Sequence, residues 1–295
     1  MTRRLVVVGD VMLDVVVRPQ GPYASTSDTP ARVRVGRGGS AANLAVALRA
    51  ATDSSFDVVF TGVAGDDAAA QIVMADLHAS GVTNQIATVA GTTGVVVALV
   101  ASEGERAMMT DRGVNSALRF AHVSHLLDAS LTHVHVSGYS ALDHRSRSLV
   151  PEVLAAANSW GATSSIDVCS VGPLREVGSE TFWRVARGAT MLFTNEEEAL
   201  TLAQTTDVMV ALATLSREWS EVVITRGPLG ALAHDDGQTF RVNASPGEVL
   251  DTTGAGDAAT GTYLGRRLAG DDVQGSLESA MAAAAHVVRG LGSRP

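Results

Sequence analysis

The sequence predicts an α/β fold: a mostly parallel central sheet with helices on both faces, plus a small β-sheet set apart from it. Three observations predict this. Short Val-rich runs alternate with Ala-rich helical stretches along the 295 residues, the pattern of strands joined by crossover helices. The apolar runs are continuous, as in strands buried on both faces. Two segments, residues 15–35 and 94–110, are rich in Val, Thr and Arg, show no helical period, and read as the separate small sheet.

The elements follow in order. Leu5–Gly9 reads as the first strand. The opening MTRRLVVVGDVML has two arginines and an apolar run, but Asp10 and Asp14 interrupt it too early for a secretory leader. Ser40–Ala50 is an apolar helix, Val58–Val63 a strand and Ala68–Ala79 a helix. His133–Ser137, Thr163–Asp167, Met191–Thr194 and Val222–Thr225 read as strands, with helices at Arg145–Trp160, Glu196–Leu202 and Asp207–Trp219. Two helices, Ala255–Leu268 and Val273–Val288, close the chain. No repeat or linker divides it, so residues 1–295 are expected to form one domain. No run approaches the ~20 apolar residues of a membrane span.

Composition excludes several chemistries. The 22 basic and 31 acidic residues give a net charge of −9, which disfavours nucleic acid as a partner. The single cysteine, Cys169, permits no intrachain disulfide and fits a reducing cytoplasm. Every basic residue is arginine. Without lysine there is no Walker-A loop, no protein-kinase strand lysine and no Schiff base. Phosphoryl chemistry would rest on backbone amides, arginine and metal.

The strongest local signal is DTTGAGDAATGTYLG, Asp251–Gly265. Gly254 and Gly256 permit a tight turn directly before an Ala-rich helix. The amides of Ala255, Gly256 and Asp257 would be unpaired donors at a helix N-terminus, a ready anion site. Asp257 falls in the first helical turn, where the dipole favours an ionised carboxylate that can accept a hydroxyl proton. Ordinary helix capping uses the same residue types.

DTTGAGD resembles the carboxyl-side signature of the ribokinase (PfkB-type carbohydrate kinase) family. GRGGSAANLAVAL (Gly36–Leu48) resembles the amino-side signature, and FTGVAGDDAAA the block after it. TNEEEA carries the family's N-x-x-E pattern as Asn195 and Glu198, and VVITRGPLGAL resembles the strand and loop lining the nucleotide site. These blocks stand in family order over nearly the whole chain. The resemblance implies a ribokinase-like fold in which the small sheet is a lid. It implies transfer of the γ-phosphoryl group of ATP to a hydroxyl of a small sugar or sugar acid. Asp257 would be the general base, and Gly254, Ala255 and Gly256 the anion hole. Asp14, Gly38, Gly39 and Asn43 would hold substrate hydroxyls. Asn195, Thr225 and Gly227 would serve ATP. Glu198 and Asn195 would act on Mg2+, largely through water. Asp251 and Thr253 match positions that bind a monovalent cation, usually K+, in many members. Lid-mediated dimers occur in the family, which leaves a homodimer through the lid open. A nucleoside acceptor and a non-catalytic sugar or nucleotide sensor are the alternatives. Tyr23 is the clearest aromatic for base stacking in the lid, and its isolation favours a sugar. The adenine pocket is expected near Ala283–Val287.

Other features have plainer readings. Asp10 competes with Asp14 as a ligand, and Asp14 is preferred for its match to the family. Arg32, Arg34 and Arg37 read first as a solvated lid face; the sharper reading makes them, with Arg106 and Arg112, a pocket for an anionic acceptor. His133 and His135 point to one side of a strand with no third metal ligand nearby. Cys169 reads as an inert thiol. Gly36, Gly38 and Ala41 fit G-x-G-x-x-A, but the preceding strand is short and Arg-rich and the required acid is misplaced, so a dinucleotide oxidoreductase is disfavoured.

Overall fold

The computed structural model describes residues 3–22, 24, 26–100, 106–246 and 252–289. Two sheets organise them. The larger has nine strands in the order β13-β12-β11-β10-β9-β8-β1-β4-β5. Its strands are β1 (Arg3–Val8), β4 (Phe56–Ala64), β5 (Thr83–Thr88), β8 (Leu131–Val136), β9 (Thr163–Asp167), β10 (Met191–Asn195), β11 (Glu221–Thr225), β12 (Ala231–Asp235) and β13 (Gln238–Val242). From β5 to β11 every pairing is parallel; the β12–β13 hairpin then adds antiparallel at one edge. The mostly parallel sheet expected from the apolar runs is present.

Strand β1 shows why those runs are continuous. Val6 and Val8 pack into a core on one face, Leu5 and Val7 into a core on the other. Helices α1 (Ser40–Ala51), α2 (Ala68–Ala79), α9 (Ala255–Ala269) and α10 (Val273–Val287) cover the second face. Helices α3 (Gly138–Leu142), α4 (Leu149–Ser159), α5 (Val171–Val177), α6 (Ser179–Ala186), α7 (Glu196–Ala203) and α8 (Val208–Leu215) cover the first. Helices α1 and α9 touch backbone to backbone: a Cβ at Gly261 would collide with the Leu44 carbonyl oxygen, and one at Gly265 would stand 2.6 Å from the Ala51 Cβ.

The smaller sheet holds β2 (Met12–Pro19), β3 (Ala31–Gly38), β6 (Gly94–Val100) and β7 (Arg106–Asp111), ordered β3-β2-β6-β7. It is mixed, since β2 and β6 run parallel. The expected bounds of 15–35 and 94–110 fell short at the amino side, because β2 and β3 run three residues deeper and bury Met12, Gly38 and their neighbours against the main body.

The element list differs elsewhere for physical reasons. The predicted helix Arg145–Trp160 begins at Leu149, after a separate short helix. Helices α5 and α6 were unforeseen, being divided by Gly178 at φ 85°. Strand β5 was missed because, at the sheet edge, it alternates exposed and half-buried residues.

The chain runs from β1 outward to β4 and β5, then returns to place β8 on the other flank of β1. Reversal of strand order opens a crevice at the strands' carboxyl ends.

Candidate active site

That crevice is a cleft of about 600 Å³. Its floor comes from the carboxyl ends of strands: Asp10 beyond β1, Asp167 of β9, Asn195 of β10 and Thr225 of β11. One wall is the start of α9 (Thr253, Gly254, Gly256, Asp257). Another is the Gly39–Asn43 segment, and the small sheet adds Met12, Asp14, Val96, Met108 and Thr110.

Helix α9 starts where the sequence motif predicts. Gly254 is its N-cap in the left-handed region, φ 77°, a conformation that a side chain would strain. The Ala258 amide closes the first helical bond on the Gly254 carbonyl at 2.9 Å. The Ala255 amide donates to the Thr252 carbonyl at 3.3 Å, so it is not the unpaired donor expected of it. The amides of Gly256 and Asp257 have no acceptor among the described residues, and they are the donors left for an anion.

Asp257 is gripped on both carboxylate oxygens. Ser40 Oγ donates to Oδ1 at 2.7 Å, and Asn43 Nδ2 donates to Oδ2 at 3.0 Å. Its pKa is pushed up to about 6, first by burial; the two hydrogen bonds and Arg37 oppose the rise, and Asp167 adds to it. Burial therefore outweighs the two hydrogen bonds and the Arg37 charge. The carboxylate is ionised at neutral pH, with a proton affinity suited to a general base.

The glycine pair creates space for acids. Gly39 is the N-cap of α1 at φ 87°. A Cβ at Gly38 would run into the Asp14 carboxylate. Asp14 and Gly39 line the cleft, while Gly38 lies buried behind Asp14. Asn43 Oδ1 accepts from Arg37, which also reaches Asp76 at 3.5 Å. Arg37 is thus 5 % exposed and anchors the Asn43 amide, a correction to its reading as part of a solvated lid face; Arg32 and Arg34 are exposed.

Asp10 lines the cleft alongside Asp14 and pairs with Arg112 at 2.9 Å. Burial pushes its carboxyl up to about 6 against the Arg112 charge. Arg112 also lies 3.6 Å from Asp143. It is the only arginine among the described cleft residues, and it faces five carboxylates there.

At the start of α7, Asn195 and Glu198 form a reciprocal capping box. Asn195 Oδ1 accepts from the Glu198 amide, and Glu198 Oε2 from the Asn195 amide, both at 2.9 Å. Glu198 is 3 % exposed, and burial, with a contribution from Asp167, pushes its carboxyl up to about 7. Thr225 lines the cleft; Gly227 lies exposed just beyond it at the start of a 3-10 turn. Thr253 lines the cleft, but Asp251 and Tyr23 lie outside the described residues, as does the Arg106 side chain.

The sequence reading missed Ser40 and Asp167. Asp167 stands at the carboxyl end of a predicted strand, a position that α/β sheets use for ligands. Ser40 adjoins the glycine pair at the first residue of α1. Among the described residues, the aromatic surface of the cleft comes from Tyr139 and Phe193 of the main body. Cys169 also lines the cleft, with φ 70°, and its thiol donates to Asp167 Oδ1 at 3.0 Å. Burial pushes that thiol up, in keeping with an inert group. No helix of the described residues is long and apolar enough to cross a membrane.

Comparison with known proteins places this geometry in a family. The pfkB family carbohydrate kinase profile matches residues 2–295. The chain is 29% identical over 298 residues to the ATP-dependent ribose-1-phosphate kinase of Halopiger xanaduensis, covering 99% of this chain and 94% of that one. It is 26% identical to the ribokinase of Bacillus subtilis, covering 99% and 95%. A protein from E. coli solved in complex with ATP and Mg2+ shares the fold, with a TM-score of 0.86, 21% identity and coverage of 99% and 94%. Family-wide agreement along the chain and a ribokinase-type fold lead to one conclusion: the chain belongs to the pfkB family of carbohydrate kinases, phosphotransferases that act on an alcohol group.

Proposed function

We propose that this kinase transfers the γ-phosphoryl group of ATP to a hydroxyl of a small sugar or sugar acid, with Asp257 as general base. One observation carries the reading: a desolvated carboxylate, held on both oxygens by Ser40 and Asn43, beside two amides with no acceptor among the described residues. Asp257 takes the hydroxyl proton as the oxygen attacks phosphorus, and the amides of Gly256 and Asp257 stabilise charge on the transferred group. Asp14 and Asp10 suit the remaining hydroxyls as acceptors. Asn43 acts chiefly on the base, because its amide is already engaged by Arg37 and Asp257.

The cleft suits Mg2+, since its donors are oxygens and its carboxylates crowd one another: Asp167 raises the pKa of both Glu198 and Asp257. Glu198, and Asn195 through water, would hold Mg2+, which neutralises phosphate charge. Thr253 with Asp251 would hold K+ where that ion is used. An anionic acceptor would draw Arg112 away from Asp10. The exposed lid residues Val33, Val35, Met108 and Met109 fit a homodimer through the lid, which sedimentation would test. On the same reading the chain folds as a single domain and works in the cytoplasm.

The deciding experiment is ADP release with ATP and Mg2+ against sugars, sugar acids, sugar phosphates and nucleosides, with and without K+. Acceptor-dependent ADP from a sugar or sugar acid is the expected result. A nucleoside as the only acceptor, or ATP binding with no turnover on any compound, refutes the proposal.

A further inference from the structure

Of the three arginines along β3, Arg32 and Arg34 face solvent while Arg37 turns inward. Its side chain is 2 % exposed and does not line the cleft. A guanidinium cannot shed its charge, so burying one is costly unless it is paired and hydrogen-bonded. Arg37 is met on two sides. Its Nε lies 3.5 Å from Asp76 Oδ1 of α2, and its Nη1 donates to Asn43 Oδ1 of α1. Asn43 Nδ2 in turn donates to Asp257 Oδ2 of α9 at 3.0 Å. The line Asp76–Arg37–Asn43–Asp257 thus joins four elements behind the cleft.

The Asn43 amide gives this line its direction. The oxygen and NH2 ends of an amide have nearly the same shape, so hydrogen bonding and not packing chooses between its two orientations. A donor, Arg37, stands on one side and a carboxylate on the other. While Asp257 is ionised, both neighbours select the same orientation. Once Asp257 holds a proton, its O–H would favour an amide turned the other way, with oxygen toward Asp257. Arg37 opposes that turn, because it would set an NH2 against a guanidinium that has no acceptor to offer.

We propose that Arg37, held from α2 by Asp76, is a positioning residue that keeps Asn43 a donor to Asp257 in both protonation states. This rests on Asp257 being the base. The protonated base then gains nothing from Asn43, which favours its return to carboxylate after each transfer. Of the charges acting on Asp257, Asp167 disfavours the carboxylate and Arg37 favours it, while Ser40 and Asn43 hold it by hydrogen bonds. The Tyr139 phenol also lies within the reach of the Asp257 charge.

The test needs no acceptor. The 13C carboxyl signal of Asp257, identified by its loss in Asp257→Asn, is titrated in the unliganded full chain. Wild type, Arg37→Met, Asn43→Ala and the double variant are compared. Arg37→Met keeps bulk without charge or donor, and is expected to raise the midpoint by about one pH unit. Charge acting through space gives the same rise with or without Asn43. Action through the amide loses about half of the rise or more in the Asn43→Ala background. A rise that keeps more than half its size there, or no rise at all, overturns the proposal. If Arg37→Met does not fold, Asp76→Ala decides. Loss of that negative charge by itself lowers the Asp257 midpoint, whereas release of Arg37 raises it, so a lowered or unchanged midpoint overturns the proposal. With the acceptor found by ADP release, Arg37→Met is expected to cut kcat about tenfold, a modest share of general-base catalysis, with acceptor KM unchanged. Wild-type kcat in that variant overturns the proposal. Absence of any acceptor refutes the kinase reading instead, and the titrations judge Arg37 separately from it.

Discussion

Replacing Asn43 by Ala removes one of the two side-chain hydrogen bonds to Asp257 and leaves the carboxylate in place. A hydrogen bond to a charged group contributes about 1.5–3 kcal/mol. Because Asn43 Nδ2 donates to the ionised form, its loss disfavours that form, and one pKa unit corresponds to about 1.4 kcal/mol. The Asp257 carboxyl, at about 6 in the wild type, should rise by about one to two units. A base works when ionised, so activity is lost as pH falls through its pKa. The acid limb of the kcat/KM profile, which reports the free enzyme, should therefore move from about 6 to about 7–8. ADP release measured across that range reads the limb directly. Arg37 loses an acceptor in the same variant, and its charge also acts on Asp257. A limb that stays put in Asn43→Ala refutes the assignment of Asp257 as the titrating base or of Asn43 as its stabiliser.

Further expectations follow from the same geometry. Asp257→Asn should keep ATP binding, read by calorimetry, and cut turnover by about two to four orders of magnitude. Gly38→Ala drives a methyl into the Asp14 carboxylate, so acceptor KM should rise about tenfold or more with ATP KM unchanged. Glu198 has its folded pKa raised to about 7 from 4.5, so the folded state binds the extra proton and stability drains as pH rises through that window. Glu198→Gln keeps a capping side chain and should gain on the wild type by up to about 3 kcal/mol between the two ends, read by urea unfolding without ligands. Arg267 holds Glu221, which is 3 % exposed and also accepts from Tyr263. Arg267→Ala strands that charge and should cost about 3–5 kcal/mol in the same assay.

The parallel strands were legible because burial on both faces makes each a continuous apolar run, and Val6–Val8 needs no partner to be recognised. The β12–β13 hairpin carried its own signal, Asp236-Gly237 with both residues at positive φ, a two-residue turn pairing flanking strands; it went unread because His234 and Asp235 disguise the strand beside it. Helices α5 and α6 hid behind Gly172, Pro173 and Gly178, which read locally as loop. In the site, the glycine turn and Asp257 are neighbours in sequence, so their relation was visible. The convergence of Ser40, Asp167 and Asp257 spans more than 200 residues and depends on strand order, which no local pattern encodes. Arg37 looked like its exposed neighbours because β3 crosses from solvent to core between Val35 and Arg37.

The close crossing of α1 and α9 has a consequence for how this enzyme can diversify. Gly261 and Gly265 let the helix bearing Asp257 rest against the helix bearing Ser40 and Asn43 with almost no intervening side chain. Asp257 and its two donors are thus mounted on one stiff bracket, while Asp14 and the lid strands hang from a separate sheet. Substitutions in β2, β3, β6 and β7 can reshape what is held over Asp257 without retuning that carboxylate. Changes at Gly261 would do the reverse, spoiling chemistry for every acceptor alike.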